Sequence, residues 1–175
     1  MGALKTIRYL TIGSSIVILA LGAILLHPDA RPLLESLFGH GELSPVDFAS
    51  LELSGEQDEY LVCGLELCVK TQPNLVAKAY DVPLGKLRKT LLSSIDKSPT
   101  YFRRSLDLAI QQFEFTERVP NSPFPDVVTI RFVSLGDDRS SVAIYSRSVA
   151  GRSDPGRNQD RVEGLLDIIE PLSEK

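Results

Sequence analysis

The stretch Tyr145–Leu166, YSRSVAGRSDPGRNQDRVEGLL, gathers four arginines and three serines into one loop and helix start. Three chemistries use such residues. Acyl or phosphoryl transfer would take a hydroxyl from Ser146, Ser148 or Ser153 and an acid from Asp126 or Asp154. The only histidines are His27 and His40, so the later chain holds no imidazole base for a Ser-His-Asp triad. Lys70, Lys78, Lys86, Lys89 and Lys97 could serve a Ser-Lys pair, but no G-x-S-x-G elbow is present. Paired-carboxylate hydrolysis needs two acids facing one cleft, and Asp126 and Asp154 are the candidates, with Arg147 beside them. Anion binding is the third chemistry. Gly151 and Gly156 precede a helix start, with Arg147, Arg152, Arg157 and Arg161 nearby. Free N–H groups and arginine forks suit phosphate or a lipid headgroup. The Walker lysine and the G-x-G-x-x-G pattern are both missing, which excludes the common nucleotide loops.

The same residues also admit a purely structural reading. The glycines permit positive φ, Asp154 caps the Pro-Gly turn, or Asn158 N-caps the last helix. Arg147 or Arg118 would then pair with Asp126 or Asp154 and pin the loop to the sheet. The candidate ligand-binding set is therefore Arg118, Asp126, Arg147, Arg152, Asp154, Arg157, Asn158 and Arg161.

Other chemistries find less support. Cys63 and Cys68 stand in C-x4-C spacing, too few ligands for zinc. They read either as a local disulfide in an oxidising compartment or as two buried thiols. Asp137-Asp138 lies in a turn without the alternating series of a calcium loop. No metal and no cofactor is implied. A net charge of −4 argues against nucleic-acid binding.

The front of the chain sets the expected location. Residues 7–26, IRYLTIGSSIVILALGAILL, carry only Arg8 as a charge. Tyr9 to Leu26 is 18 uncharged residues, about the minimum for a membrane-spanning helix. Lys5 and Arg8 precede it, and Asp29 and Glu35 follow. The positive-inside bias puts residues 1–6 in the cytoplasm and the later chain in the periplasm. A cleaved signal peptide is the rival, with Ala20-Leu21-Gly22 as its small-x-small site. The expectation is a single-pass inner-membrane protein whose partners are the bilayer, through 7–26, and an envelope protein or anionic lipid.

The remaining elements must position the arginines. Residues 27–55 read as a tether, its VDFASLEL docking as a strap, and 56–175 as the soluble domain. Leu84, Leu87, Leu91, Leu92 and Ile95 predict an amphipathic helix over 83–95. Phe113, Phe115, Glu117 and Val119 alternate with polar residues, as in a strand. VVTIRFVSL, GDDRS and SVAIYSRSV predict an antiparallel hairpin over 129–149. Val162, Leu165, Leu166 and Ile169 predict a last helix from Asn158 to Pro171. Without βαβ alternation, the expected fold is α+β: a small antiparallel sheet with two amphipathic helices on one face, preceded by the N-terminal transmembrane helix.

The segments FGHGELSPVDFASL, DEYLVCGLELC, TERVPNSPFPDVVTIRFVSLG and AIYSRSVAGRSDPGRN run in order along the chain. Together they resemble the bacterial family called domain of unknown function 1499, in its alphaproteobacterial form. The resemblance covers about residues 37–170. The family pattern falls on Arg118, Phe124, Pro125, Asp126, Ser146, Arg147, Ser148, Gly151, Ser153, Asp154, Gly156, Asn158 and Arg161. Val149 and Pro155 depart from it. The resemblance implies an N-terminal membrane segment and an envelope setting, and it supplies no mechanism.

Overall fold

A computed structural model describes residues 45–55, 58–118, 125–149 and 156–173. These residues all fall in one compact unit, Ser44–Lys175. The expected span at 7–26 lies outside the described residues. Among those described, no helix is long and apolar enough to cross a membrane.

Among the described residues the strands and α-helices follow in order: β1 (Glu59–Cys63), β2 (Leu75–Val76), β3 (Ala79–Tyr80), α1 (Leu84–Ile95), β4 (Tyr101–Asp107), β5 (Gln112–Glu117), β6 (Asp126–Ser134), β7 (Ser140–Ser148) and α2 (Arg157–Ile169), with a 3-10 turn (Glu170–Leu172) after it. The strand order is β2-β1-β7-β6-β5-β4, and β3 shares with β1 the edge of β7 away from β6. The sheet is antiparallel except at β1 and β2. That one parallel pair (Val62 beside Leu75) departs from the all-antiparallel expectation.

The centre is the β6–β7 hairpin, in register from Asp126 opposite Ser148 to Ser134 opposite Ser140. Its β-branched residues suit a pleated surface buried on both sides. Gly136, at φ 135°, supplies a turn conformation that residues with a Cβ rarely adopt. The strand over 113–119 is β5, ending at Glu117. Its partner β4 leaves the sequence reading incomplete, because YFRRSLD is exposed from Phe102 onward and carries no alternation of burial.

Both helices pack on one face of the sheet. Leu87, Leu91 and Ile95 of α1 and Val162, Leu165 and Ile169 of α2 meet Phe113, Phe115, Val128, Ile130 and Ile144 in a common core. Each such aliphatic side chain contributes about 1.5–3 kcal/mol by leaving water.

The other face is covered by the segment that precedes β1. Val46 and Phe48 join Leu61, Cys63, Cys68, Ala143 and Tyr145 in a second cluster. The Gln112 Nε2 donates a buried hydrogen bond to the Val46 carbonyl at 2.8 Å. The Ser54 hydroxyl donates to Glu59 at 2.7 Å. Residues 45–55 are thus built into the fold, which begins before the boundary at residue 56.

Cys63 and Cys68 are joined by a disulfide. It closes a turn in which the Leu67 and Cys68 N–H groups both donate to the Gly64 carbonyl. Loop closure this short restricts the unfolded chain by about 2 kcal/mol. Replacing both cysteines by serine should lower stability by about that much in urea unfolding. Reductant should produce the same loss in the unaltered protein.

Candidate functional site

The polar end of the helix-covered face is organised by Arg161. The stripe Asn158, Arg161, Val162, Leu165 and Ile169 is the buried side of α2. Two polar residues therefore ride on the apolar face, where burial demands partners. Facing them are inward-pointing residues at the strand ends: Glu117 after Phe113 and Phe115, Asp126 before Val128, and Ser146 after Ile144. Glu117 and Asp126 stand directly opposite each other in the β5–β6 register. Two like charges so placed repel unless a cation is shared between them.

The Arg161 guanidinium supplies that cation. Its Nε donates to Glu117. Its Nη2 donates to the Asp126 Oδ2 at 2.5 Å. Its Nη1 donates to the Ser146 hydroxyl at 2.9 Å and the Asn158 Oδ1 at 2.6 Å. These bonds engage four of the five guanidinium N–H groups. Only 4% of the Arg161 side chain and 7% of the Asp126 side chain reach solvent, against 21% for Glu117. Burial acts to lower the Arg161 pKa, but the bonds and charges of Glu117 and Asp126 outweigh it and raise the value above the ordinary one. Burial, and then the Glu117 charge, push the neighbouring Tyr101 hydroxyl well above the usual tyrosine range. Tyr101 is therefore a neutral donor at any physiological pH.

Asn158 extends the network. Its Nδ2 donates to the Asp58 carbonyl at 2.6 Å and more weakly to the Ser148 hydroxyl at 3.4 Å. Its Oδ1 accepts from Ser146 at 2.7 Å. It does not cap α2 as the sequence suggests. The N-cap is Gly156, at φ 90°, with no side-chain cap bond. The Asn158 side chain points into the sheet instead, where it ties α2 to β7 and to the start of β1.

The other expected site residues are placed differently. Among the described residues, the ion-pair partner of Asp126 is Arg161, not Arg118 or Arg147. The reason is strand parity: Arg147 pairs with Val127 and points to the opposite face from Asp126. Arg147 lies over the Tyr145 ring, its Cζ 5.6 Å from the ring centroid. Its Nε and Nη2 are buried with no hydrogen-bond partner among the described residues. Arg118 lies over Phe102, at 4.6 Å. Arg157 opens α2. Arg152 and Asp154 lie outside the described residues.

Beside the cluster is a cleft of about 320 Å³ between α1, α2 and the end of β4–β5, lined by residues that include Tyr101, Glu117, Asp160, Arg161 and Gly164. Asp126 is not among its lining residues. Glu117 and Tyr101 are the site residues that motif reading passes over. The signal for Glu117 was its parity with Phe113 and Phe115, which marks an acid on an inward face.

Among the described residues the geometry offers no activated nucleophile. Ser146 is fully buried within the network. Ser94 and Lys97 stand in S-x-x-K spacing, but Lys97 is exposed and no bond joins its ammonium to Ser94 among the described residues. Among those residues no group of three His, Cys, Asp or Glu could hold a metal ion.

These features define an α+β domain whose sheet and last helix are locked by one buried guanidinium shared between two carboxylates. The family model for "protein of unknown function (DUF1499)" matches residues 66–169, and the chain belongs to that family. No curated protein matches it. Solved structures resemble it only remotely. The di-domain ARO/CYC BexL from the BE-7585A biosynthetic pathway is 13% identical at a TM-score of 0.40, covering 55% of this chain and 44% of BexL. This chain thus spans less than half of that protein. An uncharacterised protein from Bacillus thuringiensis is 12% identical at a TM-score of 0.40, covering 56% of this chain and 93% of its own. A solution structure from Thermobifida fusca is 10% identical at a TM-score of 0.31, covering 56% and 82%.

Proposed function

We propose that this protein is a periplasmic domain anchored in the inner membrane by residues 7–26, and that it binds a ligand or partner rather than catalysing a reaction. The observation that carries the binding reading is the Arg161 cluster. The acid best placed by sequence for catalysis, Asp126, is spent on a solvent-poor ion pair, and the nearest hydroxyl, Ser146, is spent on Arg161 and Asn158. A general acid or nucleophile needs access to substrate, and these groups have none. The adjoining cleft has the concave shape and mixed lining of a binding site. The Cys63–Cys68 disulfide supports an oxidising compartment. The 18 uncharged residues from Tyr9 to Leu26, with Lys5 and Arg8 before them, support the anchor and its orientation.

Topology is tested with alkaline phosphatase fused after Lys175. The fusion should be active and the equivalent green fluorescent protein fusion dark, because the latter folds poorly after export. The reverse pattern would place the domain in the cytoplasm and overturn the location.

A further inference from the structure

We propose that the cleft beside Arg161 binds a small organic cation: an ammonium group on a short aliphatic body. The proposal deepens the binding reading above and does not depend on the membrane anchor.

The first argument is charge. One guanidinium faces two carboxylates, Glu117 and Asp126, so the cluster has one negative charge in surplus. Asp126 is shut away from solvent, while Glu117 is the acid that opens to the cleft. Its Oε2 is taken by Arg161, its Oε1 receives a long contact from the Thr100 hydroxyl at 3.5 Å, and the Tyr101 hydroxyl also bonds to this carboxylate. Asp160 adds a second acid to the lining, and among the described residues Arg161 is the one cation there. A site so lined repels anions and attracts a cation with N–H groups. The Tyr101 ring and hydroxyl stand beside Glu117, a neutral surface for the same charge.

The second argument is shape. Ile95, Leu165 and Ile168 make one wall apolar, which suits an aliphatic body behind the ammonium. Gly164 sits in mid-helix at the cleft, where glycine is the weakest helix former after proline. Packing does not require it, because a Cβ built there meets nothing within 4 Å. What the missing side chain does is leave the cleft open.

The test uses the full chain in detergent and n-butylammonium as the probe, followed by saturation-transfer NMR with sodium n-butyrate as the anionic counterpart. The unaltered protein should transfer saturation to n-butylammonium and not to butyrate. Glu117→Gln keeps an acceptor for Arg161 but removes the charge, and should weaken binding at least about tenfold. Gly164→Leu fills open space, should leave the melting temperature unchanged or higher, and should abolish the signal. A signal equal in all three proteins would be partition into the micelle and would overturn the proposal. A butyrate signal lost in Gly164→Leu would overturn the ammonium class and keep the cleft as a binding site. No signal from either probe in the unaltered protein would also overturn the proposal, while the binding reading, which names no ligand, would stand.

Discussion

Replacing Arg161 by methionine should lower the unfolding free energy by about 3–5 kcal/mol, the usual cost of removing one partner from a buried ion pair. The side chain lost is long and partly aliphatic, so methionine fills much of its volume. What remains is the electrostatic defect. Glu117 and Asp126 stay opposite each other on adjacent strands, with Asp126 desolvated and no guanidinium between them. Ser146 and Asn158 also lose a donor each. If the loss is electrostatic, neutralising the two acids should recover much of it. Adding Glu117→Gln and Asp126→Asn to Arg161→Met should therefore bring the deficit down to about 1–2 kcal/mol, the scale of a few imperfect hydrogen bonds. Guanidinium or urea unfolding of the single and triple variants measures both numbers. A single variant within 1 kcal/mol of the unaltered protein would mean the cluster is a surface pair of little consequence. A triple variant as unstable as the single one would mean that Arg161 acts by packing alone.

This cluster also shows how far the sequence could be read. The apolar stripe of α2 is strong because Val162, Leu165 and Ile169 recur at helical spacing. The same wheel puts Asn158 and Arg161 on that stripe, so their burial was legible from position, though not the identity of their partners. Partner choice depends on strand parity across three strands. β6 is buried on both faces from Asp126 to Ile130, so it shows no alternation from which to read which way Asp126 points. Arg147, next to Ser146 in the most recognisable motif, was the natural candidate for Asp126 and lies on the wrong face. The short strands β2 and β3 escape for another reason. Two residues carry no periodicity, and their pairing with β1 and β7 is a tertiary event. β4 escapes because it is an exposed edge strand, where arginines and a register shift between Arg103 and Ser105 replace a hydrophobic pattern.

The strap expected of VDFASLEL is packed against the sheet, and it leads to the second large effect. Phe48→Ala should destabilise the domain by about 3–5 kcal/mol, the range for truncating a fully buried aromatic. The docked strap expected of VDFASLEL predicts this loss, whereas an undocked tether would predict almost none, because a linker residue has no packing to lose. In the fold, Phe48 is completely buried against the face of the sheet opposite the helices, together with Leu61, Ala143 and Tyr145. Without it, the apolar outer faces of β1 and β7 would be open to water. A neighbouring control separates the two readings: Ala49 is exposed, and Ala49→Ser should change stability by less than about 0.5 kcal/mol. The expected contrast, a large loss at residue 48 beside near-neutrality at 49, is what an ordered strap with alternate side chains turned inward produces. Equal, small effects at both positions in urea unfolding would return residues 45–55 to the tether. The consequence reaches beyond stability. Because residues 45–55 are part of the core, a cut within them would remove one cover of the sheet together with all that precedes it, the proposed anchor included. A soluble fragment starting at residue 56 should therefore be less stable than one starting at residue 44, by at least the Phe48 contribution.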